Sequence, residues 1–171
     1  MITLITGGAR SGKTRYALEN AGQEETTRGG FDDCTYIATA ELRDDEMRER
    51  AVRHQRERSH RWRTIEEPFE LAARMTELSG IVIIDCLTMW LSNWMLRDET
   101  QLESQIESFC ASLRLAACHV RAITNEVGSS IVPDNPLARR FRDWAGVMNQ
   151  RVASIADRVY LMVCGFPVQL K

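Results

Sequence analysis

Thr3-Leu4-Ile5-Thr6-Gly7-Gly8-Ala9-Arg10-Ser11-Gly12-Lys13-Thr14 opens the chain as a short apolar strand running straight into a glycine loop. Arg15-Tyr16-Ala17-Leu18-Glu19-Asn20 follows as a helical stretch. The loop has the spacing G-x-x-x-x-G-K-T, and the order strand, glycine loop, helix is the context that this phosphate-binding pattern requires. Gly7 and Gly12 let the backbone turn its N–H groups inward around phosphate oxygens, and the helix start adds its partial positive charge. Lys13 has the reach to touch the β- and γ-phosphates, and the Thr14 hydroxyl suits Mg²⁺. Gly7, Gly8, Ala9, Arg10, Ser11, Gly12, Lys13 and Thr14 are therefore the expected nucleotide-binding loop.

Lys13 stands out for a second reason. Of the 22 basic residues only Lys13 and Lys171 are lysine, and the rest are arginine. A flexible stem with a point charge serves a phosphate chain better than a rigid guanidinium fork does.

The partner of such a loop is a hydrophobic strand ending in an acid. Ile81-Val82-Ile83-Ile84-Asp85 fits, with Asp85 placed to hold Mg²⁺ or its water shell. Residues 3–6, 35–39, 81–85, 120–124 and 159–163 are β-rich apolar runs, and helical patterns fill most of the gaps. That alternation predicts a mostly parallel sheet flanked by helices. The segment 21–33 reads as a loop, and Gln101 to Ala117 as an amphipathic helix. Asn135 and Pro136 form an N-cap and first-turn pair. The helix they start carries Leu137, Phe141, Trp144, Met148, Val152 and Ile155 on one face. Tyr160 to Leu170 reads as two strands around a turn at Gly165–Pro167, a hairpin at the sheet edge.

Composition narrows the class. With 171 residues and no repeat or linker, residues 1–171 are expected to form one domain. A net charge of -2 argues against a general polyanion binder. No apolar run reaches the roughly 18–20 residues of a membrane span. The start, MITLITGG, lacks a basic n-region and a cleavage site, so the expected location is cytoplasmic. Cys34, Cys86, Cys110, Cys118 and Cys164 show no C-x-x-C spacing and are read as small buried residues. His54, His60 and His119 complete no zinc pattern with them, so no structural metal is expected.

Residues 43–63 hold eight arginines against five acids, a local charge of +3. If this segment is helical to about residue 58, Arg50, His54 and Arg58 share one stripe. Flanking cations disfavour imidazolium, and a neutral imidazole between guanidiniums is a candidate nucleophile toward phosphate. An incidental histidine on a solvated, salt-bridged helix explains the same spacing. Interleaved acids and the lack of stacking aromatics argue against a nucleic-acid stripe. On these residues alone, a P-loop kinase of a small hydroxylated metabolite and a non-catalytic nucleotide-dependent interaction module both stay open.

Four stretches taken together narrow this further: GGARSGKTRYA, YIATAELRDDEMRERAVRHQRERSHRWRTIEEP, TNEVGSSIVPDNPLARRFRDWAGVMNQRVA and VYLMVCGFPVQLK. They resemble the bifunctional adenosylcobinamide kinase/adenosylcobinamide-phosphate guanylyltransferases of cobalamin biosynthesis, least so at 19–33 and 89–118. The resemblance implies a RecA-like P-loop NTPase domain, usually assembled as a homotrimer. It implies phosphorylation of the aminopropanol hydroxyl of adenosylcobinamide from ATP or GTP. It then implies transfer of GMP from GTP, through a guanylylated histidine, to adenosylcobinamide phosphate, giving adenosylcobinamide-GDP. The guanylylated histidine falls on His54, with Gln55, Arg56, Glu57 and Arg58 in the nucleotide-binding segment after it. Ala38, Thr39 and Ala40 match a strand end that touches nucleotide. Glu66 matches the acid after W-x-T, and Asp85 an acid that other members write as Glu. Ser130 departs from the pattern, standing where the family usually has glycine.

Overall fold

The computed structural model describes residues 1–27, 33–41 and 62–171. Its strands are β1 (Ile2–Gly7), β2 (Cys34–Ala38), β3 (Arg63–Glu66), β4 (Ile81–Asp85), β5 (His119–Ile123), β6 (Arg158–Val163) and β7 (Phe166–Gln169). They form one sheet in the order β3-β2-β4-β5-β1-β6-β7. All neighbours are parallel except the β6–β7 pair at the edge. Among the described residues the helices are α1 (Lys13–Thr27), α2 (Leu71–Glu77), α3 (Leu87–Asp98), α4 (Leu102–Leu115) and α5 (Pro136–Ile155), with a 3₁₀ turn at Glu99–Gln101. The expected P-loop NTPase architecture, with a strand pair closing one edge, is the observed one.

Strand alternation divides the core in two. Leu4, Ile37, Val82, Ile84, Val120, Ala122 and Val159 face the larger cluster, which α3 and α4 fill with Trp90, Leu91, Ile106 and Phe109. Ile5, Tyr36, Ile81, Ile83, Ile123 and Met162 face the other way, toward Ala17 and Ala21 of α1. A parallel sheet covered on both faces needs apolar residues on both, and β4 is buried throughout Ile81–Ile84.

Asn135 accepts hydrogen bonds from the N–H groups of Leu137 (2.8 Å) and Ala138 (3.4 Å), and Pro136 occupies the first turn. Such a cap stabilises a helix by about 1 kcal/mol. On the stripe read from sequence, Met148 and Val152 are buried, and Phe141, Trp144 and Ile155 pack against the larger core. Leu137 remains exposed.

Four readings are corrected. The stretch 21–33 is not all loop, because α1 continues to Thr27. Its underside is polar there, with Asn20 and Glu24 engaging Arg121 on β5, so apolar periodicity could not show it. β3 escaped notice because this edge strand has a single aliphatic residue, Ile65, and its two ends are exposed. The β6–β7 turn lies at Cys164–Gly165, with Phe166 and Pro167 already paired to β6. Cys164 is consequently exposed, whereas the other four cysteines are buried as expected.

Candidate active site

The sheet register brings the predicted site residues to one edge. Glu66, Ala38, Asp85, Ile123 and Ile5 form a continuous row across β3, β2, β4, β5 and β1. At roughly 4.8 Å per strand, the row from Glu66 to β1 spans about 19 Å. The phosphate loop springs from the β1 end of this row. A Cβ on Gly7 would lie 2.7 Å from the Met162 carbonyl of β6, so the loop's first turn passes β6 only as glycine (φ +147°). Arg10, at the crest, holds a left-handed backbone with φ +56°.

Lys13 folds over the loop. Its Nζ donates to the carbonyls of Gly7 (3.0 Å) and Gly8 (2.5 Å), and lies 3.5 Å from Ser11 Oγ. Only 8% of the residue is exposed. Burial lowers its pKa below the ordinary lysine value, against the opposing pull of Cys86 and Asp85. A cation held by neutral carbonyls in a half-desolvated site gains strongly from an arriving phosphate. Thr14, one residue on, donates from Oγ1 to Asp85 Oδ2 at 2.9 Å. The loop and the β4 acid, 71 residues apart in sequence, are thus in direct contact.

The turn between β6 and β7 supports the loop from outside. Gly165 N–H donates to Ser11 O at 3.1 Å, and Arg15 Nη2 donates to Gly165 O at 3.4 Å. On the other flank, Thr39 is fully buried and ties the ends of β2 and β4 together. Its hydroxyl donates to Cys86 O (2.7 Å) and accepts from Cys86 N–H (2.8 Å). Asn93 of α3 donates to Thr39 O (2.7 Å) and Pro68 O (3.1 Å), fastening the ends of β2 and β3 to one helix.

A match to the family model described as cobinamide kinase / cobinamide phosphate guanyltransferase covers residues 3–170. The chain belongs to this family. It is 38% identical over 175 residues to the bifunctional adenosylcobalamin biosynthesis protein CobP of Pseudomonas aeruginosa, covering 100% of this chain and 98% of that protein. It is 36% identical over 188 residues to the bifunctional adenosylcobalamin biosynthesis protein CobU of Escherichia coli, covering 100% of each. The CobU protein of Salmonella typhimurium matches to the same extent, 36% over 188 residues.

For a cobinamide kinase / guanyltransferase chain, the structure brings Gly7 to Thr14, Ala38, Thr39, Ala40, Glu66 and Asp85 to the C-terminal edge of the sheet. Thr39 acts there as a clamp between strands. Glu66 is exposed at the end of β3, while its neighbour Glu67 is buried. Glu67 accepts from the N–H groups of Phe69 (3.2 Å) and Glu70 (3.0 Å) and from Arg74 Nε (2.9 Å). Burial pushes its carboxyl up, but those bonds outweigh it and hold the pKa below the ordinary glutamate value. His54, Gln55, Arg56, Glu57 and Arg58 lie outside the described residues.

Sequence reasoning missed Tyr36, whose hydroxyl donates to Asp85 Oδ2 at 2.5 Å. The signal was present: Tyr36 lies two residues before Ala38, the register partner of Asp85, on the same face of the sheet. Thr14 and Asp85 offer a hydroxyl and a carboxylate oxygen 2.9 Å apart, hard donors that fit Mg²⁺. Mg²⁺ usually rests on one or two carboxylates plus substrate phosphates, so this pair is a sufficient protein contribution. Ser130 keeps a negative φ and donates to Val127 O at 3.3 Å, so its backbone does not require glycine.

Proposed function

We propose that residues 1–171 act as one domain that phosphorylates the aminopropanol hydroxyl of adenosylcobinamide from ATP or GTP. The same chain then transfers GMP from GTP, through His54, to adenosylcobinamide phosphate. Membership of the cobinamide kinase / cobinamide phosphate guanyltransferase family, across residues 3–170, is the observation that carries this reading. The relatives that match end to end are themselves named bifunctional.

In phosphoryl transfer, positioning and charge stabilisation do most of the work. The loop amides and Lys13, whose Nζ donates to the Gly7 and Gly8 carbonyls at the loop, hold the β- and γ-phosphates. Thr14 and Asp85 would hold Mg²⁺, which would supply positive charge to the phosphates. In guanylyl transfer, His54 attacks the α-phosphorus of GTP, a histidine–phosphorus bond forms, and pyrophosphate departs. A phosphate oxygen of adenosylcobinamide phosphate then attacks that phosphorus, a phosphoanhydride bond forms, the histidine–phosphorus bond breaks, and His54 is regenerated. Arg50, Arg56 or Arg58 supplies charge for the triphosphate, Glu66 and Ala38 lie along the row leading away from the phosphate loop, and Ala40 follows the end of β2. A homotrimer working in the cytoplasm completes the proposal. Among the described residues no helix is long and apolar enough to cross a membrane.

Incubation with α-labelled GTP and Mg²⁺, followed by denaturation, tests the covalent step. The expected adduct is acid-labile, base-stable and maps to His54. His54→Ala should abolish guanylyl transfer and retain phosphorylation of adenosylcobinamide. Full transferase activity in that variant would sink the assignment. Bound GTP without label would leave a kinase alone.

A further inference from the structure

The segment Glu126-Val127-Gly128 follows β5, the strand lying between the acid-bearing β4 and the loop-bearing β1. Glu126 leaves that strand pinned to the phosphate loop. Its N–H donates to Gly7 O at 3.1 Å, the same carbonyl that accepts from Lys13 Nζ at 3.0 Å. The neighbouring backbone is anchored from α5, where Asn149 accepts from Thr124 Oγ1 (2.7 Å) and donates to Asn125 O (3.1 Å).

The carboxylate itself is held in place. Oε1 accepts from Gly128 N–H at 2.6 Å, and Arg142 Nη2 in turn donates to Gly128 O at 2.5 Å. A Cβ on Gly128 would stand 2.9 Å from that oxygen, so a side chain there would shift the carboxylate from this position. Elsewhere the carboxylates of Glu24, Glu67, Glu99 and Glu103 each meet an arginine. Glu126 has no ion pair among the described residues, and it is only half-buried. A half-buried carboxylate, fixed by a backbone N–H and without a cation partner among the described residues, thus belongs to a residue whose own backbone is bonded to the phosphate loop.

We infer that Glu126 is the catalytic carboxylate that receives the proton of the acceptor hydroxyl during phosphoryl transfer. This rests on the kinase reading above and assigns to a named residue the step that reading lacks. The acceptor oxygen attacks the γ-phosphorus, and a new oxygen–phosphorus bond forms. The bond from that phosphorus to the β–γ bridging oxygen breaks, and its electron pair leaves with the nucleoside diphosphate. The hydroxyl proton passes to Glu126 and then to solvent. Formation of the histidine adduct has no acceptor hydroxyl, so it does not need Glu126.

The decisive experiment compares wild type, Glu126→Gln and Glu126→Ala, all full length, with adenosylcobinamide and ATP, and separately with α-labelled GTP. Glu126→Gln keeps the oxygen that accepts from Gly128 N–H. It should lower kcat for phosphorylation by about 10²–10⁴-fold, leave KM for ATP within about twofold, and label with GMP at the wild-type rate. In Glu126→Ala, formate should restore part of the lost kcat. A kcat within about threefold of wild type in Glu126→Gln overturns the inference alone. Parallel loss of GMP labelling also overturns it, because Glu126 would then support the nucleotide site at large. So does a loss in Glu126→Ala that formate leaves untouched. A wild-type protein that does not phosphorylate adenosylcobinamide overturns the functional reading and this inference with it.

Discussion

Lys13 and Arg121 are both buried cations, and their surroundings are opposite. Arg121, fully buried on β5, donates from Nη2 to Glu24 Oε2 and from Nε to Asn20 Oδ1 at 3.2 Å. The other oxygen of Glu24 meets His119 Nδ1 at 2.5 Å. Two periodicities make this fit: Asn20 and Glu24 are one helical turn apart on α1, and His119 and Arg121 are same-face neighbours on β5. Among the described residues Lys13 has no carboxylate within hydrogen-bonding distance, and its bonds go to backbone carbonyls and Ser11. A cation already neutralised by its fold contributes structure. One held by neutral acceptors keeps its charge for a ligand, and that separates the site from the scaffold here.

The largest expected effect of breaking this contrast is on activity. Lys13→Ala should reduce kcat/KM of both the kinase and the guanylyl transfer by about 10³-fold or more, on the order of 4 kcal/mol. Its thermal midpoint should nonetheless stay within about 3 °C of wild type, because a lysine whose charge is disfavoured by burial adds little to folding. Steady-state kinetics beside calorimetry reads both quantities. A large fall in Tm with activity intact would reverse the assignment of roles.

Arg121→Met should do the opposite. It leaves the buried Glu24 carboxylate without its guanidinium and should cost about 3–5 kcal/mol, lowering Tm by about 10 °C. Residual folded protein should keep its KM for ATP. Adding Glu24→Met should return part of the lost stability, since the double variant removes the stranded charge as well.

The smallest effect is the pH dependence. Burial raises the Glu24 carboxyl, but its bonds to Arg121 and His119 outweigh this and set it below the usual 4.5. A depressed carboxylate contributes stability that is complete above the unfolded pKa and lost as pH falls through the folded value. Wild-type stability should therefore decline below about pH 4.5, and denaturant titration across that range should find a shallower decline in the Arg121→Met/Glu24→Met variant. An unchanged slope would show that Glu67, depressed in the same direction, dominates the acid limb.

The legible features were those whose chemistry is local. The phosphate loop needs its glycines, lysine and threonine at fixed spacing, and Asp85 ends an unmistakable buried strand. Asn135 and Pro136 announce α5 by the same kind of short-range rule. Less legible were elements made stable by distant partners. The end of α1 reads as loop because its buried side rests on polar pairing with β5. β3, starting at the end of the arginine-rich 43–63 stretch, gives no strand signal because an edge strand can exist on backbone hydrogen bonds and one aliphatic residue.

By itself, then, the order of residues determined a phosphate loop, an acid-ended strand, an alternating α/β pattern and a resemblance that the family match bears out. Each depends on spacing within a few residues or on the chain read end to end. Tertiary structure alone decided that Thr14 meets Asp85, that Tyr36 joins them, and that Thr39 and Asn93 clamp the strand ends. It alone set Glu126 against Gly7. Those contacts join residues tens of positions apart, and only the strand order β2-β4-β5-β1 makes them neighbours.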